Sequence, residues 1–331
     1  MAEDYDYDPG HWKGHDFKSA RASYDAHAGR SYTKAKTAGK TSSDMVPARV
    51  STQSTSPVVI MVDVTGSMGQ WPATMFSKLP YLELEGQEYL GPDMEISWAA
   101  IGDADKGDKY PLQVMDFTKG TDLKAKMEEL IIEGGGGGGG EETYELGALY
   151  YAKNCDMPNG VKPLFIFVGD EMPYDRVPSD RALHVAKVRL DREQPLGTHT
   201  GRRSNDLSVE EVFEMLKLRF EVYLVHKPYN DGGQTRRRWV GLLGEDHIAD
   251  LQDASRVVDV IFGIFARETN RVDYFKREIE DRQEVGTPEG QKKIETVYKA
   301  LHTIHKPGAM VKKGHSTLHR PAGGTKSKSL L

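Results

Sequence analysis

Cysteine and long apolar runs are almost missing from this sequence. Cys155 is the one cysteine among 331 residues, so no disulfide can form within the chain, and a reducing compartment is the simplest inference. No apolar run approaches the roughly 20 residues that a membrane-spanning helix needs. The opening residues are acidic and lack the apolar segment of a secretory signal. We therefore expect a cytoplasmic protein without a membrane partner.

Basic residues are in the minority before residue 306 and concentrated after it. The formal net charge is -6, yet residues 306–331 contain six Lys or Arg and no Asp or Glu. An acidic body argues against general nucleic-acid binding and suits a cation. The basic tail could contact an anionic partner such as a nucleic acid, although tails of this kind are more often simply solvated.

Apolar and amphipathic segments alternate along the middle of the chain. Strands are predicted at 58–62, 95–102, 112–117, 163–168 and 220–225, with a short one at 239–243. Helices are predicted at 69–79, 122–131, 146–154, 181–190, 209–219 and 249–266. This alternation implies right-handed crossovers. We predict an α/β fold, a Rossmann-like, doubly wound and mostly parallel sheet with helices on both faces.

The remaining segments suggest how the chain is divided. Residues 1–56 are polar, without a sustained apolar period, and predict a flexible N-terminal arm. The α/β domain is predicted over 57–267. Residues 268–305 are charged with helical spacing and predict a C-terminal helical extension, and residues 306–331 predict a flexible basic tail.

Oxygen-bearing side chains follow three of the predicted elements. Asp63, Thr65 and Ser67 come at alternate positions after the first buried strand, Thr143 precedes a helix, and Asp170 follows a later buried strand. In a doubly wound sheet, ligands collect at the carboxyl ends of the strands. Two carboxylates and three hydroxyls are a ligand set for a hard cation. We predict a Mg²⁺ site, with Mn²⁺ or Ca²⁺ as alternatives.

The stretch Val58–Met68, with Asp63-Val64-Thr65-Gly66-Ser67 in it, resembles the first strand and metal loop of von Willebrand factor A domains. Their metal-ion-dependent adhesion site reads Asp-x-Ser/Thr-x-Ser and is completed by a distant Thr and a distant Asp. Thr143 and Asp170 lie in the right order for these. The resemblance covers roughly residues 57–265. It is nearer to intracellular bacterial, phage-like or kinase-associated members than to adhesion receptors.

The resemblance implies a six-stranded, mostly parallel sheet and a cation with an open coordination position that accepts an acidic side chain from a partner protein. It implies that Asp63, Thr65 and Ser67 hold the metal directly or through water. Thr143 would coordinate in one conformational state, and Asp170 directly or through another ligand. Two features depart from the family: a long glycine run before Thr143 and a large insertion after Asp170.

Several of these features have plainer interpretations. Thr143 could cap the following helix, and Asp170 could be a turn residue. The run Gly134–Gly140 lacks the Gly-Lys-Ser/Thr of a phosphate-binding loop, so we interpret it as a mobile loop of the metal site. Three carboxylates in one loop could form another cation site, although a solvated loop is the commoner case: Asp103, Asp105 and Asp108. Two arginine groups could bind phosphate or an acidic partner, although solvated loops are the default: 202–203 and 236–238.

The sequence therefore favours a metal-dependent protein-binding module, a scaffold or assembly component, over an enzyme, because no nucleophile–base pair stands out. Two other functions stay open. A metal-assisted phosphohydrolase or nuclease would hold Mg²⁺ with Asp63 or Asp170 and use Glu142 or Glu145 as its base. A structural component of a phage or secretion apparatus would use the metal only as a staple.

Overall fold

A computed structural model describes residues 41–69, 71–120, 122–123, 126, 129–133, 139–190 and 206–305, without the side chains at 73, 76–81, 83 and 84. Several predicted features lie outside these residues. They are the arm before residue 41, the glycines at 134–138, the arginines at 202–203 and the basic tail after residue 305. The helix predicted at 122–131 is described only in part.

A six-stranded sheet lies at the centre of the described chain. Its strands are β2 (Pro57–Asp63), β3 (Glu95–Ile101), β4 (Leu112–Val114), β7 (Leu164–Gly169), β11 (Glu221–His226) and β12 (Ile248–Asp250). They are ordered β12-β11-β7-β2-β3-β4, and only β4, at one edge, pairs antiparallel. Every residue of β2 and β7 is buried, as expected for strands covered on both faces. The predicted mixed α/β class with a mostly parallel sheet is confirmed.

Three two-stranded sheets accompany the central sheet in the described chain. Their two-residue strands are β1 (Val50–Ser51) with β6 (Cys155–Asp156), β5 (Glu141–Glu142) with β8 (Met172–Pro173), and β9 (Arg176–Val177) with β10 (Leu207–Ser208). The helices are α1 (Trp71–Leu90), α2 (Tyr144–Asn154), α3 (Ser179–His184), α4 (Val209–Lys217), α5 (Gln234–Leu243), α6 (Val257–Glu268), α7 (Val272–Arg282) and α8 (Pro288–Ala300). Within the described ranges, no helix combines the length and the apolar character that spanning a bilayer requires.

The sheet separates two hydrophobic cores. Val58, Ile60 and Val62 of β2 pack in the core shared with α1 and α6, whereas Val59 and Met61 face the core shared with α2 and α4. This alternation follows from the two-residue period of a strand. Apolar residues of α7 and α8 belong to the first core, so the segment expected as a helical extension packs directly on the α/β domain.

Two elements near the β12 edge of the sheet were predicted with the wrong secondary structure. Residues 239–243 belong to helix α5, not to a strand: Trp239, Leu242 and Leu243 are buried at helical spacing, and Gly233 and Gly244, both with positive φ, flank the helix. The start of the predicted helix 249–266 is instead strand β12, which pairs with β11, and helix α6 begins only at Val257. Pairing with the sheet outweighs local periodicity there.

Part of the predicted N-terminal arm also belongs to the domain. Within residues 41–56, Met45, Val46 and Val50 are buried in the two cores. Strand β1 pairs in parallel with β6, and the backbone N–H of Thr52 donates to the Asp156 carbonyl at 3.0 Å. The ordered domain therefore begins before Pro57, because these apolar side chains bury area that the sequence pattern did not reveal.

Candidate cation site at the carboxyl edge of the sheet

The central strands deliver polar residues to one edge. Asp63 ends β2, Asp170 follows Gly169 at the end of β7, and Lys227 follows His226 at the end of β11. These three strands are neighbours and parallel, so their carboxyl ends lie side by side. The topology therefore brings together residues that are far apart in sequence.

Hydrogen bonds join four of the five predicted ligands into one cluster. Asp63 Oδ1 accepts from the Thr65 backbone N–H at 2.8 Å and from the Thr65 hydroxyl at 2.6 Å. Thr65 Oγ1 lies 3.0 Å from Ser67 Oγ. The Ser67 hydroxyl donates to Asp170 Oδ1 at 2.9 Å. Two hydroxyls thus link the carboxylate at the end of β2 to the carboxylate that follows β7.

This cluster is buried on one side and open on the other. Asp63, Thr65 and Asp170 are all buried, whereas Ser67 and Gly66 are exposed. Gly66 begins a short 3-10 turn, and the residue with positive φ in this loop is Gly69, with φ +59°. The cluster is therefore open to solvent at the Ser67 turn.

Lys227 is a member of the cluster that the sequence analysis missed. Its Nζ donates to Asp170 Oδ2 at 2.7 Å and to the Ser67 carbonyl at 2.7 Å. The ammonium thereby neutralises one carboxylate and fixes the Ser67 turn. The sequence contained a signal for Lys227, because this residue directly follows an apolar strand. The rule that ligand-binding residues lie at the carboxyl ends of parallel strands applies to it as it does to Asp63 and Asp170.

Tyr144 is the second missed member. Its hydroxyl donates to Asp63 Oδ2 at 2.7 Å from the start of α2. It reaches Asp63 across Gly169, where a Cβ would collide with the Tyr144 hydroxyl. A glycine at the end of β7 is therefore required for this contact, and Asp63 has hydrogen-bond donors on both carboxylate oxygens.

Thr143 lies beside the cluster but is not bonded to it. Its hydroxyl donates to the Gly102 carbonyl at 2.8 Å and accepts from the Ala104 N–H at 2.9 Å. It stands at the N-cap position of α2 without making a side-chain capping bond. The capping interpretation is thus not supported, and the side chain instead ties α2 to the loop after β3.

Glu142 is the least satisfied carboxyl group at this edge. It is fully buried, and neither of its carboxyl oxygens has a hydrogen-bond partner among the described residues. Burial raises the pKa of Glu142 to about 10, and the nearby charges of Asp63, Asp103 and Asp108 add to this effect. A buried, unpaired carboxyl group must either keep its proton or meet a cation.

Asp63 is shifted in the same direction. Burial, and secondly the charge of Asp170, raise the pKa of Asp63 to about 7, even though bonds from Thr65 and Tyr144 act in the opposite sense. Carboxyl groups whose pKa is raised by burial and a nearby negative charge are a frequent feature of functional sites. The cluster stores electrostatic repulsion that a bound cation would relieve.

The donor set fits a hard cation that keeps some of its water. Within the described ranges, no group of three or more His, Cys, Asp or Glu is placed to hold a metal ion. The cluster instead combines two carboxylates, Asp63 and Asp170, with the hydroxyls of Thr65 and Ser67. Mg²⁺ commonly needs only one or two carboxylates from the protein because waters complete its shell.

The acidic loop at Asp103 and the described arginine group already form hydrogen bonds or ion pairs within the chain. Asp103 Oδ1 accepts from the backbone N–H groups of Asp105 and Lys106, and Tyr174 donates its hydroxyl to the same carboxylate. Arg236 pairs with Asp250, and Arg238 pairs with Asp175 and Glu210. The Asp103 loop is thus a hydrogen-bonded turn, and two of the three described arginines already have acidic partners.

Comparisons with known proteins leave the family open. No protein-family model matches the chain, and no curated protein matches it. The solved structures that show weak similarity include two crystal structures of the pilus adhesin SpaC from Lactobacillus rhamnosus GG, the first in an open conformation. The first has a TM-score of 0.45 at 13% identity over 69% of this chain and 31% of that chain. The second has a TM-score of 0.44 at 14% identity over 70% and 32%. The chain therefore spans about a third of these adhesins, and similarity this low bears on neither family nor function.

Proposed function

We propose that this chain is a divalent-cation-dependent protein-binding module of the von Willebrand factor A type, with Mg²⁺ as its ion and a partner protein's carboxylate as its ligand. One observation carries the proposal. Ser67 Oγ lies 2.9 Å from Asp170 Oδ1 although the two residues are 103 positions apart. This contact joins the Asp-x-Thr-x-Ser loop to the distant Asp that the family resemblance requires.

The oxygens of Asp63, Thr65, Ser67 and Asp170 would hold the ion, directly or through water. When bound, the ion would offer a positive, oxygen-seeking contact to an anionic group of a partner. The protein supplies the geometry: buried Asp63 and Asp170 close the inner side, and exposed Ser67 leaves the outer side open. A carboxylate could approach only from that outer side.

Thr143 would join the ligand set only after a local rearrangement. Its hydroxyl would have to leave the Gly102 carbonyl and the Ala104 N–H. The run Gly134–Gly140 precedes it in sequence, and glycine imposes little conformational restriction. Such a change agrees with the family resemblance, in which this threonine coordinates in one conformational state.

Isothermal titration calorimetry of the EDTA-treated full chain with MgCl₂ tests the cation part. We expect one binding site in the wild type and none in Asp63→Ala. Asp156→Asn is the matched control, because it also removes one carboxylate but at an exposed position away from the carboxyl edge. Asp156 contacts Thr52, and the Thr52 hydroxyl bonds Glu95 at the opposite, starting end of β3. Asp156→Asn should bind Mg²⁺ like the wild type. A wild type that binds neither Mg²⁺ nor Mn²⁺ at millimolar concentrations contradicts the proposal.

The carboxylate part needs a separate measurement. Mn²⁺ bound with exchangeable water enhances water-proton relaxation, and acetate should reduce this enhancement by displacing water from the open position. An enhancement that acetate leaves unchanged in the Mn²⁺-loaded wild type would indicate a purely structural ion, as in the staple alternative.

Neither candidate base favours a hydrolase. Glu142, with its pKa raised to about 10 by burial, would hold a proton at neutral pH before any cation binds. Glu145 is buried and accepts the Tyr174 backbone N–H at 3.1 Å. Burial raises the pKa of Glu145 as well. We therefore propose no second function.

A further inference from the structure

A second candidate site lies between helices α1 and α7, on a different part of the molecule. The two helices line a cavity of about 370 Å³, which is bordered by two tyrosines, four carboxylates and Arg282. Glu85 and Glu88 come from α1, and Glu278 and Asp281 from α7. In each helix the two acids are three residues apart, so they share one face.

The negative charge of this cavity is only partly neutralised. Arg282 is 2.9 Å from Glu85 and 3.0 Å from Asp259, so its guanidinium is shared between two carboxylates. The carboxylates of Glu88, Glu278 and Asp281 form no hydrogen bond or ion pair with any residue that the structure describes. Like charges that face each other across a groove repel unless a cation lies between them.

A buried tyrosine hydroxyl points to a ligand independently of these charges. Tyr89 is 7% exposed and lines the cavity, and its hydroxyl has no hydrogen-bond partner in the described part of the chain. Buried polar groups without a partner are rare, and each needs an explanation such as a bound water, ion or ligand. The neighbouring ring of Tyr274 already carries the Arg271 guanidinium 4.3 Å from its centroid. These aromatic walls are therefore suited to cations.

We propose that the cavity binds a Lys or Arg side chain from the chain's own basic segment, residues 306–331. That segment contains six Lys or Arg and no acid, which complements the unpaired carboxylates of the cavity. An ammonium or guanidinium group also supplies the hydrogen-bond donors that the Tyr89 oxygen and the carboxylates can accept. The inference is independent of the cation site at the sheet edge.

The point where the segment leaves the domain supports this choice of occupant. His305 packs against Phe275 of α7 with ring centroids 5.9 Å apart, and its Nε2 lies 2.8 Å from the Gly263 carbonyl of α6. Phe275 is the neighbour of Tyr274, which lines the cavity. The basic segment thus begins beside a helix that forms the site. An extended stretch from His305 to Lys312 reaches at most roughly 25 Å.

Limited trypsin digestion of the full chain tests the proposal, with cleavage after Lys312, Lys313, Lys326 and Lys328 followed by mass spectrometry. The test variant combines Glu88→Gln, Glu278→Gln and Asp281→Asn. The matched control combines Asp116→Asn, Asp156→Asn and Asp180→Asn, three exposed carboxylates elsewhere. We expect the tail of the test variant to be cut roughly three- to tenfold faster than that of the wild type at low salt. The control should match the wild type.

Salt and cross-linking complete the test. High salt should raise the wild-type rate of tail cleavage to that of the test variant, because it screens exposed ion pairs. Carbodiimide treatment of the wild-type monomer should form amide bonds between tail lysines and Glu88, Glu278 or Asp281, a readout that needs no variant to fold. Equal tail cleavage in all three proteins, or cross-links found only between two copies, would overturn the proposal.

Discussion

Two acidic loops follow neighbouring strands of the same sheet, yet only one has the character of a cation site. Asp63 ends β2, and Asp103 follows β3. Both are fully buried. Asp103 Oδ1 accepts from two backbone N–H groups and from the Tyr174 hydroxyl, and the hydrogen-bond chain ends there. Asp63 instead begins a chain of hydroxyls that leads through Ser67 to a second carboxylate, Asp170.

The different partners of Asp63 and Asp103 show that burial of an acid alone is not sufficient to indicate a metal site. Backbone N–H groups satisfy the carboxylate of Asp103 and fix a turn. Around Asp63, the hydroxyls of Thr65 and Ser67 could also serve as metal ligands, and Glu142 next to them has no partner in the described structure. The Asp63 arrangement therefore combines metal-ligand oxygens with a demand for positive charge.

The largest effect is expected at the two glycines beside these loops. Gly169→Ala would drive a methyl group into the Tyr144 hydroxyl, and the Tyr144 ring is held between Phe167 and Trp239 and cannot retreat. We expect a loss of about 3 kcal/mol in the free energy of unfolding. Gly102→Ala meets the tip of the Asp108 side chain at 2.5 Å, which can rotate away, so about 1 kcal/mol is expected. Urea unfolding of both variants measures the difference, and equal losses would contradict the rigid Tyr144 contact.

The metal-free protein should become less stable as pH rises from about 4 to 7. Burial and Asp170 raise the pKa of Asp63 from 3.8 to about 7. The folded state therefore binds this proton more tightly, and the stabilisation present below pH 3.8 is lost as pH rises through 7. The loss should be on the order of 2 kcal/mol in EDTA. It should shrink in Asp63→Asn and persist in Asp103→Asn, and the same pH dependence in both variants would contradict the contrast.

Removal of the Asp103 carboxylate should destabilise the protein without touching the cation site. Asp103→Ala leaves the N–H groups of Asp105 and Lys106 and the Tyr174 hydroxyl without their acceptor. We expect about 2 kcal/mol of lost stability and an unchanged affinity for Mg²⁺. Urea unfolding and calorimetry measure the two quantities. A large fall in Mg²⁺ affinity would indicate that the ion binds at the Asp103 loop instead of the Asp63 loop.

Lys227→Met should strengthen cation binding. The Lys227 ammonium donates to Asp170 Oδ2 and to the Ser67 carbonyl, each at 2.7 Å. An incoming ion therefore competes with a positive charge that is already in place. We expect Mg²⁺ affinity to rise about tenfold, which corresponds to ~1.4 kcal/mol. Lys106→Met, in the loop of Asp103, is the matched control and should leave the affinity unchanged. A weaker affinity in Lys227→Met would show that the ammonium supports the site rather than competing with it.

The sequence predicted most of the sheet and the positions of Asp63 and Asp170, because buried parallel strands are continuous apolar runs and their ends are easy to place. It failed where tertiary contacts decide. Trp239 lies in a helix and Ile248 in a strand because sheet pairing and burial, not local pattern, settle those segments. Tyr144 was missed because the packing of α2 on the sheet brings its hydroxyl to Asp63, and no spacing in the sequence records that contact. Lys227 follows the same strand-end rule as Asp170 and could have been predicted.

Anomalous diffraction from crystals of the full chain soaked in Mn²⁺ would test the central claim most directly, because it locates the ion without assuming its ligands. We predict one strong peak between the Asp63–Ser67 loop and Asp170, and none in the loop of Asp103 and Asp108. A peak in the Asp103 loop, or no peak beside Asp170 at saturating Mn²⁺, would contradict it.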